Sequence, residues 1–163
     1  SYQKYQGVTL TEKGFLSAKM IVRKHRLWEV FLVDKLQFSW DEVHEIAEEL
    51  EHIQSIALID KLDAFLGYPD FDPHGDPIPN RQGEIKKTSK LLLSEAELNQ
   101  EYQCVGVKDS SSEFLKYLDK QKIALGSVFK VIEKESFDDT LTVEINAQEK
   151  IISNKIANNL YVQ

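Results

Sequence analysis

The sequence has little of what membrane-spanning, disulfide-stabilised or nucleic-acid-binding proteins need. No apolar run approaches the roughly 18 residues of a membrane span, and no signal peptide is visible, so we expect no membrane partner. Cys104 is the only cysteine, so no internal disulfide can form and a reducing cytoplasm is the expected location. The net charge of -7 argues against strong nucleic-acid binding by this chain alone and suits a protein that gathers divalent cations.

A long first helix is predicted after a short N-terminal segment. Residues 1–10 are polar and rich in tyrosine, and Val8 and Leu10 alternate with polar neighbours as in a strand. Thr11 is a suitable N-cap for a helix that runs to about Lys35, with most of its apolar residues at helical spacing.

Two further helices are expected before the first proline. Ser39, with Glu42 three residues later, has the spacing of a capping box at the start of the second helix. An apolar stripe follows on that helix and extends to Ile53. The third helix is short, covers residues 57–66 and ends at Gly67, which can take the left-handed conformation of a helix C-terminus.

The second part of the chain has a different pattern. All four prolines lie between Pro69 and Pro79, where they exclude a helix and predict an ordered loop with a structural role. Residues 81–91 are polar and lysine-rich, as in a linker. Short alternating segments bounded by turn residues then predict strands at 127–134, 140–146 and 149–155.

The predicted fold class is α+β. We expect a helical domain at 11–80, a linker at 81–91 and a small β-barrel domain at 92–163. Two main helices and a short one cannot bury all of their apolar side chains within one small layer. We therefore expect a homodimer, in which a two-fold interface covers the remainder.

Histidine and glutamate residues recur at helical spacing in the first two helices. His25 and Glu29 are one turn apart on the first helix. The second helix carries a stripe about 100° wide, made of His44, Glu48, Glu51 and His52. Two antiparallel helices could therefore direct six nitrogen and oxygen ligands into one seam. Such ligands suit Mn²⁺, Fe²⁺, Co²⁺ and Zn²⁺, and the absence of thiolate favours the harder ions.

These residues have four other interpretations. Histidine and glutamate are common on solvated helix faces, to which we assign Glu45 and Glu49. A zinc hydrolase would need an HExxH motif, which is absent. A binuclear carboxylate enzyme would need two Glu-x-x-His motifs on a four-helix bundle, and Glu49-x-x-His52 is the only one. The fourth interpretation is a simple metal-buffering or carrier protein.

Four blocks of the sequence resemble the diphtheria-toxin-repressor family, including its manganese-responsive branch. Their order and spacing match the family over residues 1–80, and the remainder resembles the family's SH3-like (FeoA-like) C-terminal domain. The blocks are Leu10-Thr11-Glu12-Lys13-Gly14, Arg23-Lys24-His25-Arg26-Leu27-Trp28-Glu29, the stretch from Glu42 to His52, and Asp72-Pro73-His74-Gly75-Asp76-Pro77-Ile78-Pro79. The resemblance implies a metal-dependent transcriptional repressor and no enzymatic activity.

The resemblance also implies two neighbouring metal sites. One site has the ligands His25, Glu29 and His44, with further ligands from the C-terminal domain, for which Glu113 and Asp109 are the candidates. The other has the ligands Glu48, Glu51 and His52, with one more from the DNA-binding domain. The iron-responsive branch has a cysteine at the position of Glu48, so the carboxylate here resembles the manganese-responsive branch, in which His25 neighbours both ions. The proline-rich block, including His74, is expected to be structural.

Family members begin with a winged helix-turn-helix, whereas this chain opens in what resembles the wing, at residues 1–10. The DNA-binding function is therefore expected of the intact protein as a homodimer on operator DNA, in which metal orders the N-terminal region. Within this chain only Lys4 is expected to contact a phosphate.

Overall fold

The computed structural model describes residues 10–145 and 147–163 and has an α+β fold, as predicted. Three helices come first, and an antiparallel sheet follows with two more helices between its strands. The helices are α1 (Glu12–Leu36), α2 (Val43–Leu50), α3 (Ile56–Phe65), α4 (Ser112–Gln121) and α5 (Asn154–Ala157). The strands are β1 (Leu91–Leu92), β2 (Glu101–Val107), β3 (Val128–Lys134), β4 (Leu141–Ile145), β5 (Gln148–Ile152) and β6 (Leu160–Val162).

Local sequence signals place the first and third helices. The Thr11 side chain accepts a hydrogen bond from the backbone N–H of Gly14 at 3.1 Å, so the predicted N-cap of α1 is confirmed. Ser55 caps α3 in the same way, and Gly67 follows the helix with a positive φ of 78°. The strand predicted around Val8 lies outside the described residues, apart from Leu10.

The second helix begins later than its capping-box signal predicts. Ser39 does bind the Glu42 carboxylate, through its backbone N–H at 3.3 Å and its hydroxyl at 2.6 Å. These bonds stabilise a turn, and the helix starts only at Val43. It also ends at Leu50, so Glu51 and His52 lie in the turn that follows.

The sheet has the strand order β1-β6-β2-β3-β4-β5, with antiparallel pairing throughout. The strand predicted at 149–155 was too long, because β5 ends at Ile152 and Ser153 introduces the short helix α5. The sequence patterns also missed β2, α4 and β6, which complete the core of this part. None of the helices in the described part of the chain has the length and apolarity needed to cross a membrane.

The proline-rich loop connects the helices to the sheet. On the helical side, Arg26 donates a hydrogen bond to the carbonyl oxygen of Pro77, and Arg23 to that of Pro79. On the sheet side, Gly75 lies so close to β2 that a Cβ there would overlap the carbonyl oxygen of Val105. Gly75 also has a φ of 84°, so its lack of a side chain satisfies both requirements.

Candidate metal centre

Helices α1 and α2 pack against each other and bring the predicted ligands together at the edge of their shared core. Leu27 on α1 and Val43 and Ala47 on α2 are fully buried in that core. His25 and Glu29 lie one helical turn apart on α1, beside His44 in the first turn of α2.

Three ligand atoms converge between His25, Glu29 and His44. The Nε2 atom of His25 lies 3.0 Å from Glu29 Oε1 and 3.2 Å from His44 Nδ1, and the latter two atoms are 3.4 Å apart. An ion about 2.1 Å from each of two ligands holds them roughly 3.0–3.4 Å apart at bond angles of about 90–109°. The spacing of these three atoms therefore fits one transition-metal ion.

The other ring nitrogen of His25 connects this cluster to the second predicted set. Its Nδ1 atom lies 2.9 Å from Glu51 Oε2, so His25 neighbours both sets, as the family resemblance implies. Glu48 on α2 and His52 in the following turn are exposed. Among residues 10–145 and 147–163, neither side chain hydrogen-bonds to another predicted ligand, so this set is only partly assembled.

A further cluster forms on the opposite side of Glu29. Its Oε2 atom lies 3.7 Å from His74 Nδ1, and ligand atoms of Glu29, Asp72 and His74 lie within 4.8 Å of one another. All three residues are buried. A structural role was expected of this loop from its sequence, and the structure places its His74 side chain beside Glu29 of the candidate centre.

Asp72 organises the loop that carries His74. Its Oδ1 atom accepts hydrogen bonds from the backbone N–H groups of His74 at 2.8 Å and Asp76 at 3.0 Å. Its Oδ2 atom lies 3.3 Å from Nε of Arg26. An Asx turn, closed by an aspartate two residues before a histidine, was the sequence signal that could have indicated this cluster.

Burial and mutual charge shift the pKa values of these groups. Burial disfavours the ionised form of Glu29, but the interactions of its carboxylate with His25 and His74 outweigh burial and lower the pKa of Glu29 to about 2. Burial and the negative charge of Glu29 raise the pKa of Asp72 to about 6. Burial opposes protonation of His25 and His74, yet the neighbouring carboxylates raise the pKa of both imidazoles.

The candidates from the C-terminal part lie outside both clusters. Glu113 is exposed in the first turn of α4. Asp109 accepts a hydrogen bond from the backbone N–H of Ser111 at 2.9 Å and thereby shapes the turn before α4. Lys4, the expected phosphate contact, lies outside the described residues.

Two sequence profiles match the two parts of the chain. Residues 11–80 match the profile described as "Iron dependent repressor, metal binding and dimerisation domain", and residues 91–163 match the FeoA domain. A solved structure titled "Manganese-dependent transcriptional repressor" is 35% identical with a TM-score of 0.84, over 95% of this chain and 86% of that one. The chain belongs to the diphtheria-toxin-repressor family of metal-dependent transcriptional repressors.

Other members of the family show the same likeness. A structure of such a repressor in complex with manganese has a TM-score of 0.89 at 35% identity, over 96% of this chain and 75% of that one. The iron-dependent repressor IdeR of Mycobacterium tuberculosis is 44% identical over 70 residues, which are 43% of this chain and 30% of IdeR. These relatives are regulators, and this family membership excludes the enzyme interpretation.

Two similar proteins, both from Chlamydia species, have a different description. A "probable metal transport system membrane protein" of Chlamydia trachomatis is 48% identical over 73 residues, which are 45% of this chain and 16% of that protein. The chain thus spans about a sixth of the length of the two Chlamydia proteins and somewhat less than a third of the length of IdeR.

Proposed function

We propose that the chain is the metal-sensing and dimerising part of a Mn²⁺-responsive transcriptional repressor. The observation that carries this proposal is the convergence of His25 Nε2, Glu29 Oε1 and His44 Nδ1 within 3.0–3.4 Å. Their two helices pack through an apolar core, so the ligands are held in place before an ion arrives.

The proposed preference for Mn²⁺ follows from the ligand atoms. The clusters offer only imidazole nitrogen and carboxylate oxygen, which suit Mn²⁺ and also accept Fe²⁺, Co²⁺ and Zn²⁺. The single thiol, Cys104, is buried in the core of the sheet, where burial raises its pKa to about 11. A manganese complex of a similar repressor supports the same choice.

Glu29 has a central place in the proposed site. Its Oε1 atom faces His25 and His44, while its Oε2 atom faces His74. We propose that His25, Glu29 and His44 form one site, extended by Asp72 and His74. A bound ion would supply the positive charge that two buried carboxylates need, and the imidazoles would release their protons as it enters.

The second proposed site contains Glu48, Glu51 and His52, with His25 as its neighbour. Of these, only Glu51 contacts His25 within the described residues. We propose that a ligand from the DNA-binding region of the whole protein completes this set. Glu113 stays a candidate ligand that would have to move towards the cluster.

We also propose that two copies of the chain form a homodimer through α1 and α3. Several large apolar side chains on these helices are left outside the core, with Ile56 71% exposed and Phe65 64% exposed. An exposed apolar surface of this kind is typical of an interface. The profile matched by residues 11–80 is described as a dimerisation domain, which supports this assignment.

In the whole protein, we propose that metal binding orders a DNA-binding region. The homodimer would then place two recognition helices in successive major grooves of operator DNA. Because linkage is reciprocal, DNA would tighten metal binding. We propose residues 11–80 as the helical domain, 81–91 as the linker, 92–163 as the FeoA-like domain, and the cytoplasm as the location.

Calorimetric titration with Mn²⁺, Fe²⁺, Co²⁺ and Zn²⁺ tests the proposed sensor. We expect Mn²⁺ to bind the chain. We expect His25→Ala to weaken metal binding at both sets of ligands, because His25 contacts a residue of each set. The matched test of function is retardation of operator DNA by the whole protein, which should require Mn²⁺. The proposal would be contradicted if the chain bound no Mn²⁺, or if the whole protein bound operator DNA equally well with and without metal.

A further inference from the structure

The loop between α1 and α2 contacts the His74 side chain on two sides. The backbone carbonyl oxygen of Trp40 lies 2.8 Å from His74 Nε2. The Trp40 ring stacks on the imidazole, with centroids 6.2 Å apart and planes inclined by 16°. A carbonyl oxygen only accepts hydrogen bonds, so Nε2 must carry the proton. In the neutral imidazole, the free electron pair is then on Nδ1, the atom that faces Glu29.

The same loop is bound to helix α4 of the C-terminal part. The indole Nε1–H of Trp40 donates to the Asp119 carboxylate, with distances of 3.1 and 3.2 Å to its two oxygens. The Asp41 carboxylate, only 5% exposed, lies 3.3 Å from Lys116 Nζ and accepts a hydrogen bond from the Ser112 hydroxyl at 3.3 Å. One loop therefore contacts a candidate ligand and two turns of α4.

The backbone of His74 is fixed to the sheet as well. Its carbonyl oxygen accepts a hydrogen bond at 2.9 Å from the backbone N–H of Val107, at the end of β2. The side chain and the main chain of His74 are thus both held by contacts that lead to the C-terminal part. The Nδ1 atom of the ring faces Glu29 on α1.

We propose that Trp40 is a positioning residue that fixes the Nε2–H tautomer of His74. Through this contact, the docking of α4 is coupled to metal binding at the cluster. This inference rests on the proposed function, because it assigns His74 to the metal site. Partners that orient a ligating histidine in this way affect metal affinity about 10–100-fold when they are removed. By linkage, metal at His74 should strengthen the docking of α4 to the same extent that docking strengthens metal binding.

Three variants of the 163-residue chain isolate the contact. Trp40→Phe keeps an aromatic ring over His74 but loses the indole N–H, and Asp119→Ala removes the acceptor from an exposed position of α4. The double variant completes the cycle, and Glu133→Gln, on exposed β3 surface, is the control. We expect each single variant to weaken Mn²⁺ binding about tenfold, the double variant to weaken it no further, and the control to bind normally.

Two measurements on the metal-free chain separate positioning from a merely structural effect. Nitrogen-15 NMR at a pH where His74 is neutral should show the Nε2–H tautomer in the unmodified chain and a mixture in the variants. Hydrogen exchange in α4 should be faster in Trp40→Phe and Asp119→Ala, and Mn²⁺ should slow it less in these variants than in the unmodified chain. An Nδ1–H tautomer in the unmodified chain, additive effects in the double variant, or unchanged Mn²⁺ affinity would overturn the proposal. A chain that binds no Mn²⁺ would instead overturn the proposed function, while the tautomer and the α4 exchange would still decide whether Trp40 positions His74.

Discussion

The helical half, residues 10–80, and the sheet half, residues 91–163, bury different kinds of side chain. The core of the sheet half is apolar and continuous, running from Leu93 to Val162. The core of the helical half is smaller, and buried charged or ionisable residues lie beside it. Apart from Cys104, these are all of the buried residues of that kind in the described part of the chain. These residues are Arg23, Glu29, Asp63, Asp72 and His74.

This difference shows how each half is completed. The sheet half is stabilised by burial of its own apolar side chains. The helical half holds two buried carboxylates close together inside and leaves large apolar side chains such as Ile56 and Phe65 outside. We infer that a bound cation neutralises the buried carboxylates of the helical half, and that a second copy of the chain covers its exposed apolar side chains.

The largest expected effect is on the core of the sheet half. Phe129 is fully buried there, so Phe129→Ala should lower the free energy of unfolding by about 3–5 kcal/mol. Phe137, at a turn and 94% exposed, is the matched control, and Phe137→Ala should change stability by less than about 0.5 kcal/mol. Denaturant unfolding of both variants measures the difference. Equal losses would show that the core of the sheet half has been misassigned.

The second prediction concerns the apolar surface of the helical half. Ile56→Glu would place a charge in the proposed interface and should weaken dimerisation by roughly 2 kcal/mol or more, about 30-fold. Ile151 on β5 is 77% exposed, against 71% for Ile56, so Ile151→Glu is a matched control that should leave the dimer intact. Analytical ultracentrifugation distinguishes them. A monomeric unmodified chain, or equal effects of the two changes, would contradict the proposed interface.

The third prediction uses the raised pKa of Asp72. A carboxyl group with a pKa of about 6 when folded contributes stability below its ordinary value of 3.8, and this contribution is lost as the pH rises through 6. Asp72→Asn avoids that loss because an amide does not ionise, and its side-chain oxygen can still accept the backbone hydrogen bonds of the turn. The metal-free variant should therefore be more stable than the unmodified chain at pH 8, by on the order of 1–3 kcal/mol, and no more stable at pH 4.

Denaturant unfolding at the two pH values measures this effect, with Asp34→Asn on the exposed surface of α1 as the control. The same Asp72→Asn variant should bind Mn²⁺ more weakly, since it lacks a negative charge beside Glu29. A variant that is less stable at pH 8 would show that the hydrogen bonds of Asp72 outweigh the cost of its buried charge.

The fold was predictable from sequence where a local signal decides the structure. Thr11 and Gly67 mark helix ends through short-range bonds, so their roles could be recognised directly. Ser39 and Glu42 gave an equally clear signal, but their contacts form a turn that presents Trp40 and Asp41 to α4. Tertiary contacts of this kind override a capping preference and cannot be read from spacing alone.

The candidate site was predictable to a similar degree. Helical spacing was sufficient to bring His25, Glu29 and His44 together, because they share the seam between two helices. The position of His74 depends on contacts with β2 and with the α1–α2 loop, distant in sequence, and only its Asx turn is visible locally. Spacing also could not place Glu113, because that requires knowing how α4 docks.

The smallest expected effect concerns metal choice within the helical half. A thiolate favours softer or later ions than a carboxylate does, so Glu48→Cys should raise the affinity for Co²⁺ and Zn²⁺ relative to Mn²⁺. Glu49→Cys, at the exposed neighbouring position on α2, is the control and should preserve the order. Competitive metal titrations give the ranking. If Glu48→Cys ranks the metals as the unmodified chain does, Glu48 is not a ligand.

The central claim is that a cation binds to Glu29 and thereby stabilises the helical half. Thermal unfolding with and without Mn²⁺ tests this claim most directly. The unmodified chain should gain about 2.7 kcal/mol of stability when Mn²⁺ is present at about 100 times its Kd, and EDTA should reverse the gain. Glu29→Gln should lose most of this gain, whereas Glu49→Gln, an exposed glutamate on α2, should keep it. Equal stabilisation of the two variants by Mn²⁺, or no stabilisation of the unmodified chain, would contradict the account.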